Sequence, residues 1–340
     1  MYTHDIIADI FKRFSDGGIS SFYLVDTGRG EKDIRKTFII TQPTGKRMVI
    51  KLADNDFTFP EKIKMWQRTI DEYRSLGYYC PRIFADKTGE FPYIEYEGHR
   101  CVAYAEEYSE YEPLEQRNDS DEDNDALYDK YRHDIWKMTA RIAAKHFDYT
   151  QYPSGYCLFE RFCESDKTDE VLENALEWKK YADTLPEMFR AQTDRIWRIW
   201  NENRSCLERV YHELPTSVFQ ADLNSTNILV DKDGRFAGVF DFNLCGREVF
   251  LNYLFRENYG SPENSLKKIF ASIDIVKRYY EFSQAEKEYA LMLFRCLKPL
   301  WFCCLEQLKE CKDDTRRIQQ FLDMTEHYLT CDIDLKSHMG

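Results

Sequence analysis

Between about Ile19 and Tyr108 the apolar positions come in short runs with the alternation of half-buried strands. "SSFYLVDTG", "KTFIITQ" and "GKRMVIKLA" are three such runs, punctuated by Gly28, Gly30 and Gly45. "PEKIKMWQRTIDEYRSLG" then changes to helical spacing. Pro60 suits its first turn, where a backbone N–H has no helical partner, and Gly77 suits its stop. "CPRIFAD", "FPYIEYEG" and "HRCVAYAEEY" return to the strand pattern. Strands with a single helix after the third predict a small α+β lobe.

"EPLEQRNDSDEDNDALYDK" breaks the composition. It is acidic and poor in apolar residues, so it predicts a mobile connection or an exposed helix start, with Asp119–Asp125 a solvated face. Beyond it the spacing is helical. "DIWKMTARIAAKHF" and "TDRIWRIWNENRSCLERVYHEL" carry apolar positions on one side. Their tryptophans, Trp197 and Trp200, read as core, as does Trp301. His146 reads as a helix-end residue. A strand–turn–strand unit interrupts the helices: "NILVD", the turn "KDGR" and "FAGVFDF", with Asp233–Gly234 as the hairpin signal. From Ser265 onward the pattern is helical again. Ser283 with Glu286 forms a candidate capping box, and Pro299 should divide the helix it falls in.

With 340 residues, 43% of them hydrophobic, the chain can bury a large core. A formal net charge of −13 argues against a nucleic-acid backbone as partner. The eleven cysteines are scattered with no C-x-x-C pair, which fits reduced thiols rather than a disulfide framework or a metal site. "MYTHDIIADIFKRF" predicts an amphipathic helix, and no run approaches the roughly 18 apolar residues of a membrane span. The expectation is a soluble, cytoplasmic protein, monomer or dimer, with no membrane or nucleic-acid partner.

The chemistry concentrates in "VFQADLNSTNILVDKDGRFAGVFDFN", residues 218–243. Phosphoryl transfer needs a carboxylate to orient or deprotonate the attacking hydroxyl, hard oxygen ligands for magnesium, and a lysine for the phosphates. Asp222 to Asn227 spells D-x-x-x-x-N, and Asp241-Phe242-Asn243 stands where D-F-G would stand. The hairpin between them brings Asn227 and Asp241 together. Upstream, "MVIKLA" resembles the strand that carries a phosphate-binding lysine, here Lys51. Glu61 is the first choice for its carboxylate partner and Glu72 the alternative. Glu106, Glu107 and Tyr108, ahead of the acidic break, occupy the place of the adenine-contacting linker. The loop "DTGRGEKD" falls short of G-x-G-x-x-G.

On these residues the chain resembles the aminoglycoside phosphotransferase and choline kinase superfamily, the small-molecule relatives of protein kinases. The family pattern H-G-D-x-x-x-x-N, a hairpin, then I-D-F/W covers the right order along most of the chain. The resemblance implies an α+β, bilobal, protein-kinase-like fold: a β-rich nucleotide lobe over 1–108 and a larger, mainly helical lobe over 109–340. It implies ATP or GTP as donor, Mg2+ as cofactor and a small-molecule hydroxyl as acceptor. Carried over, Asp222 is the catalytic base, Asn227 and Asp241 hold the metal, and Lys51 binds phosphate. The sequence departs in two places: Gln220-Ala221 replaces His-Gly, and Asn243 replaces a small residue. "LCGREVFLNYLFRENYG" then offers Arg247, Glu248, Asn252, Arg256 and Glu257 for the acceptor. The alternative is a nucleotide-binding regulatory protein that has lost transfer. Joint retention of Asp222, Asn227, Asp241 and Lys51 argues against it. The missing glycine loop and A-P-E segment argue against a protein kinase.

Overall fold

The structure, a computed structural model, describes residues 2–117 and 124–340, so residues 119–123 of the acidic run lie outside it. The chain forms two compact units. The first takes in residues up to Tyr128 with Cys163–Ser165 and Leu223–Cys245, and the second the remainder.

The first unit begins with α1 (Tyr2–Phe14), β1 (Ser21–Asp26), β2 (Ile34–Thr41), β3 (Arg47–Asp54) and α2 (Pro60–Ser75). Then come β4 (Ile83–Phe84), β5 (Tyr93–Tyr96), β6 (His99–Glu107) and β7 (Glu112–Pro113). The main sheet runs β1-β2-β3-β6-β4, with β5 also on β6, antiparallel throughout. Pro60 opens α2, and Gly77, at φ 88°, follows its end. The period of two separates the faces of the sheet. Phe38 and Ile40 on β2, Ile50 and Leu52 on β3, and Ala103 and Ala105 on β6 pack with Ile7, Ile10 and Phe11 of α1. That helix covers its apolar stripe on one face and leaves the alternate positions of the same strands on the other.

The hairpin, β9 (Ile228–Val230) and β10 (Phe236–Val239), belongs to this unit, although the sequence assigned it to the helical lobe. The reason is backbone pairing. β7 extends the hairpin sheet by pairing with β9, and Val239 N–H donates to Tyr79 O at 3.0 Å while Tyr79 N–H donates to Ala237 O at 2.9 Å. Gly238 permits that approach: a Cβ there would lie 1.8 Å from the Tyr79 carbonyl oxygen. Gly238→Ala should therefore destabilise the protein by about 3 kcal/mol, since backbone cannot yield as a side chain does. A shift of the urea midpoint with unchanged slope measures it, and an unshifted midpoint contradicts the packing described.

The second unit contains α3 (Asn124–Ala143, its part from Asp129), α4 (Glu170–Ala182), α5 (Arg190–Val210), β8 (Thr216–Phe219) and β11 (Gly246–Val249). It continues with α6 (Phe250–Glu257), α7 (Pro262–Val276), α8 (Gln284–Leu297), α9 (Phe302–Glu310), α10 (Thr315–Thr330) and α11 (Leu335–His338). Trp136, Trp178 and Trp200 are fully buried, and Trp200 Nε1 donates to Cys296 O at 3.0 Å. Trp301 is buried and Trp197 stacks on Trp200. Buried Arg204 pairs with Asp169, which also caps α4. The Ser283–Glu286 capping box is formed, and the helix divides at Pro299 into α8 and α9. His146 lies past α3 with a left-handed φ of 46°, its N–H on Ala143 O. The β8–β11 pair was not anticipated; four residues give too few alternations to register. All eleven cysteines are free thiols. Among the described residues no helix is long and apolar enough to cross a membrane.

Candidate active site

The face of the sheet turned away from α1 lines a cavity of about 390 Å3 that lies wholly within the first unit. Thr37, Lys51 and Tyr104 are register partners across β2, β3 and β6, so they stand in one row of its wall. Lys51 Nζ is 2.9 Å from Glu106 Oε2, the carboxylate two residues along β6 from Tyr104. Burial works against the charge on Lys51. The Glu106 carboxylate prevails, helped by Tyr104 and Asp241, and the ammonium is held charged well above the ordinary lysine range. Burial raises the Glu106 carboxyl and Lys51 opposes the rise. Glu107 and Tyr108 continue the wall, with Tyr108 under the Arg47 guanidinium at 3.7 Å.

Lys51 is thus paired with Glu106, not with Glu61 or Glu72. Glu61 is exposed in the first turn of α2, where a carboxylate suits the helix dipole. By its place in the sequence Glu106 suggests only a linker residue. The signal for its pairing is the strand register: Val49 faces Glu106 and Lys51 faces Tyr104, so both charged side chains point to one side.

The hairpin brings Asp241 and Asn243 to the same cavity. Phe240 N–H donates to Asn227 O at 3.0 Å, which joins the residue before Asp241 to the last residue of D-x-x-x-x-N. Asn227 is buried, and its Oδ1 accepts from Thr226 Oγ1 at 3.2 Å. Asp241 has a left-handed φ of 60°, and the next side chain, Phe242, packs edge-to-face on Tyr73 at 5.7 Å. Lys51, Glu106, Tyr108 and Asp241 therefore share one cavity wall, and Asn227 is tied to it through the backbone.

Asp222 is the last residue of its stretch in the second unit. Ala221 and Asp222 both have left-handed φ, 58° and 68°. For a residue with a Cβ that conformation costs roughly 1–2 kcal/mol. It explains why glycine stands at this place in the family pattern; Ala221 keeps the turn without it. The Asp222 N–H donates to Tyr156 Oη at 3.1 Å, and Tyr156 Oη lies 3.1 Å from Tyr259 Oη. Burial and the nearby Glu257 carboxylate raise both phenols, so both hydroxyls keep their protons. Tyr156 and Tyr259 were not singled out from sequence, where nothing relates them to Asp222.

The polar residues offered for the acceptor turn out to be largely internal. Buried Glu248 accepts from Ser154 Oγ at 2.7 Å, Asn252 Nδ2 at 2.9 Å and Val249 N–H at 2.8 Å. Asn252 Nδ2 also reaches Tyr156 O at 2.8 Å. Arg256 pairs with Glu170 and stacks over Tyr156 at 4.5 Å, and Arg247 pairs with Glu160 at 2.9 Å. This network fixes the segment that carries Tyr156 and, through it, the Asp222 peptide.

A model of the phosphotransferase enzyme family matches residues 12–250, from the end of α1 to the start of α6. The chain belongs to that family. As a phosphotransferase of this kind it is a small-molecule kinase on a protein-kinase-like fold, an antiparallel sheet followed by helices. Among solved structures it is similar to a microcompartment-associated aminopropanol kinase, at 14% identity and TM-score 0.55, over 96% of this chain and 95% of that one. It is also similar to an amicoumacin kinase in complex with AMP-PNP, Ca2+ and Ami, at 11% identity and TM-score 0.52, over 96% and 93% of the two chains. At those identities the phosphotransferase shares the fold with both. No curated protein sequence matches it.

Proposed function

We propose that this phosphotransferase moves the γ-phosphoryl group of ATP or GTP, with magnesium, onto a hydroxyl of a small molecule in the cytoplasm. The acceptor classes in view are an amino sugar, an amino alcohol, a homoserine-like compound or a sugar. The observation that carries the reading is the cavity in which Lys51, held charged by Glu106, shares a wall with Asp241. A fixed ammonium suits the α- and β-phosphates, and the strand end at Glu106–Tyr108 suits the base. The AMP-PNP bound by the amicoumacin kinase supports nucleotide as donor.

Asn227 and Asp241 would hold the magnesium ion. Both offer hard oxygens, the donor type magnesium takes, and the Phe240–Asn227 backbone bond draws the two positions together. Bound there, the ion would neutralise charge on the β- and γ-phosphate oxygens. Asp222 would orient the acceptor hydroxyl and take its proton as that oxygen bonds to the γ-phosphorus. The bond to the bridging oxygen breaks and the nucleoside diphosphate leaves. The Tyr156 hydroxyl, on the Asp222 N–H, supports the strained peptide that aims this carboxylate.

Mg-nucleotide at a hundred times its dissociation constant should stabilise the fold by about 2.7 kcal/mol, read as a rise in melting temperature. Absence of any shift at millimolar ATP and GTP contradicts the reading. Nucleotide consumption against a panel of amino alcohols, sugars and aminoglycosides then identifies the acceptor.

A further inference from the structure

We propose that Arg35 is a second phosphate-binding cation of the nucleotide cavity, taking the part that backbone amides of a glycine-rich loop play elsewhere. The inference rests on the nucleotide reading above and concerns a residue that no sequence pattern marked.

Arg35 lies on β2 and lines the same cavity as Lys51 and Asp241. Its guanidinium is held in place by a fork. Nε donates to Asp33 Oδ1 at 2.7 Å and Nη2 donates to Asp33 Oδ2. Asp33 is itself fixed by Asn55 Nδ2 at 3.2 Å. A guanidinium has five N–H donors, and this fork engages two of them. The others remain for a ligand, preorganised because the side chain is already ordered. Asp33 holds Arg35 charged against the cost of burial, and the Asp241 carboxylate adds to that effect. Two of the cations that line the cavity are therefore anchored by carboxylates close to it: Lys51 by Glu106 and Arg35 by Asp33.

The loop between β1 and β2 shows why a side chain is needed. Four of its seven amides are committed within the loop and its flanking strands. Thr27 N–H donates to Arg35 O, Arg29 N–H to Asp33 O, and Asp33 N–H to Gly30 O. Gly28 N–H donates to Asp26 Oδ1. Amides committed in this way do not form the phosphate cradle that a G-x-G-x-x-G loop provides. Arg35, emerging where the loop rejoins the sheet, supplies donors with a full charge instead. A planar fork suits a phosphate oxygen pair.

The test is calorimetric titration of the full chain and of Arg35→Met and Arg35→Lys. The ligands are whichever of Mg-ATP or Mg-GTP the wild type binds more tightly, and the matching nucleoside. Arg35→Met should weaken triphosphate binding by about 10- to 100-fold, the range for a lost charge-assisted contact, and leave nucleoside affinity within about twofold. Arg35→Lys should fall between, since the charge stays and the fork is lost. Equal losses for triphosphate and nucleoside would mean that Arg35 only supports the sheet, and would overturn the inference. Unchanged triphosphate binding in Arg35→Met would overturn it as well, with the nucleotide reading intact. A wild type that binds no nucleotide would overturn both.

Discussion

Replacing Asp222 with Asn should lower phosphoryl transfer to a verified acceptor by about 10²–10⁴-fold, the usual reach of a general base, with Mg-nucleotide affinity nearly unchanged. The amide has almost the volume of the carboxylate, so the turn at Ala221–Asp222 need not move. The backbone bond from residue 222 to Tyr156 Oη survives, because it uses the peptide N–H. What disappears is a charged acceptor for the hydroxyl proton. Single-turnover rates beside calorimetric nucleotide titration separate the two effects. If the variant lost nucleotide binding and kept its rate, the role given to Asp222 would be wrong.

Asp241→Asn should fail differently, losing magnesium-dependent nucleotide binding as well as turnover, each by about a hundredfold or more. The carboxylate shares the cavity with the cations Lys51 and Arg35, among others. In the proposed site its removal would take a negative ligand from a doubly charged ion and leave those cations less compensated. Magnesium-free nucleotide should therefore bind the variant no worse than it binds the wild type, since Lys51 and Arg35 would still be there for the phosphates. Titration with and without magnesium checks this sign. A variant that binds Mg-nucleotide like the wild type would remove Asp241 from the metal site.

Much of this arrangement was legible in the sequence because it rests on local signals. The D-x-x-x-x-N run, the Asp233–Gly234 turn and "GVFDF" lie within one short stretch, and a hairpin is the one structure that joins their ends. The α2 boundaries followed from Pro60 and Gly77, and the start of α8 from Ser283 and Glu286. The failures share a cause. The partner of Lys51 is set by register between β3 and β6, fifty-odd residues apart, and register is written in pairing rather than in composition. The polar residues of β11 and α6 look available in the sequence because their types suit a ligand. Burial and mutual hydrogen bonds in the fold commit them instead. The hairpin went to the wrong unit because its binding partners, Tyr79 and β7, are distant in the chain and contribute backbone atoms that carry no side-chain signature.

The Lys51–Glu106 pair has a consequence for control. Where the lysine of a kinase is held by a glutamate on a helix, moving the helix disarms the enzyme, and such kinases are switched that way. Here both residues sit on adjacent strands of one sheet, locked by the ladder from Met48↔Glu107 to Ala53↔Val102. Pulling the two strands apart would require breaking that ladder, which no rigid shift of α2 can do. With Lys51 in the proposed role, an enzyme built so would have the carboxylate partner of its lysine placed as soon as the sheet forms. Its output would then follow the supply of donor and acceptor rather than the position of a helix.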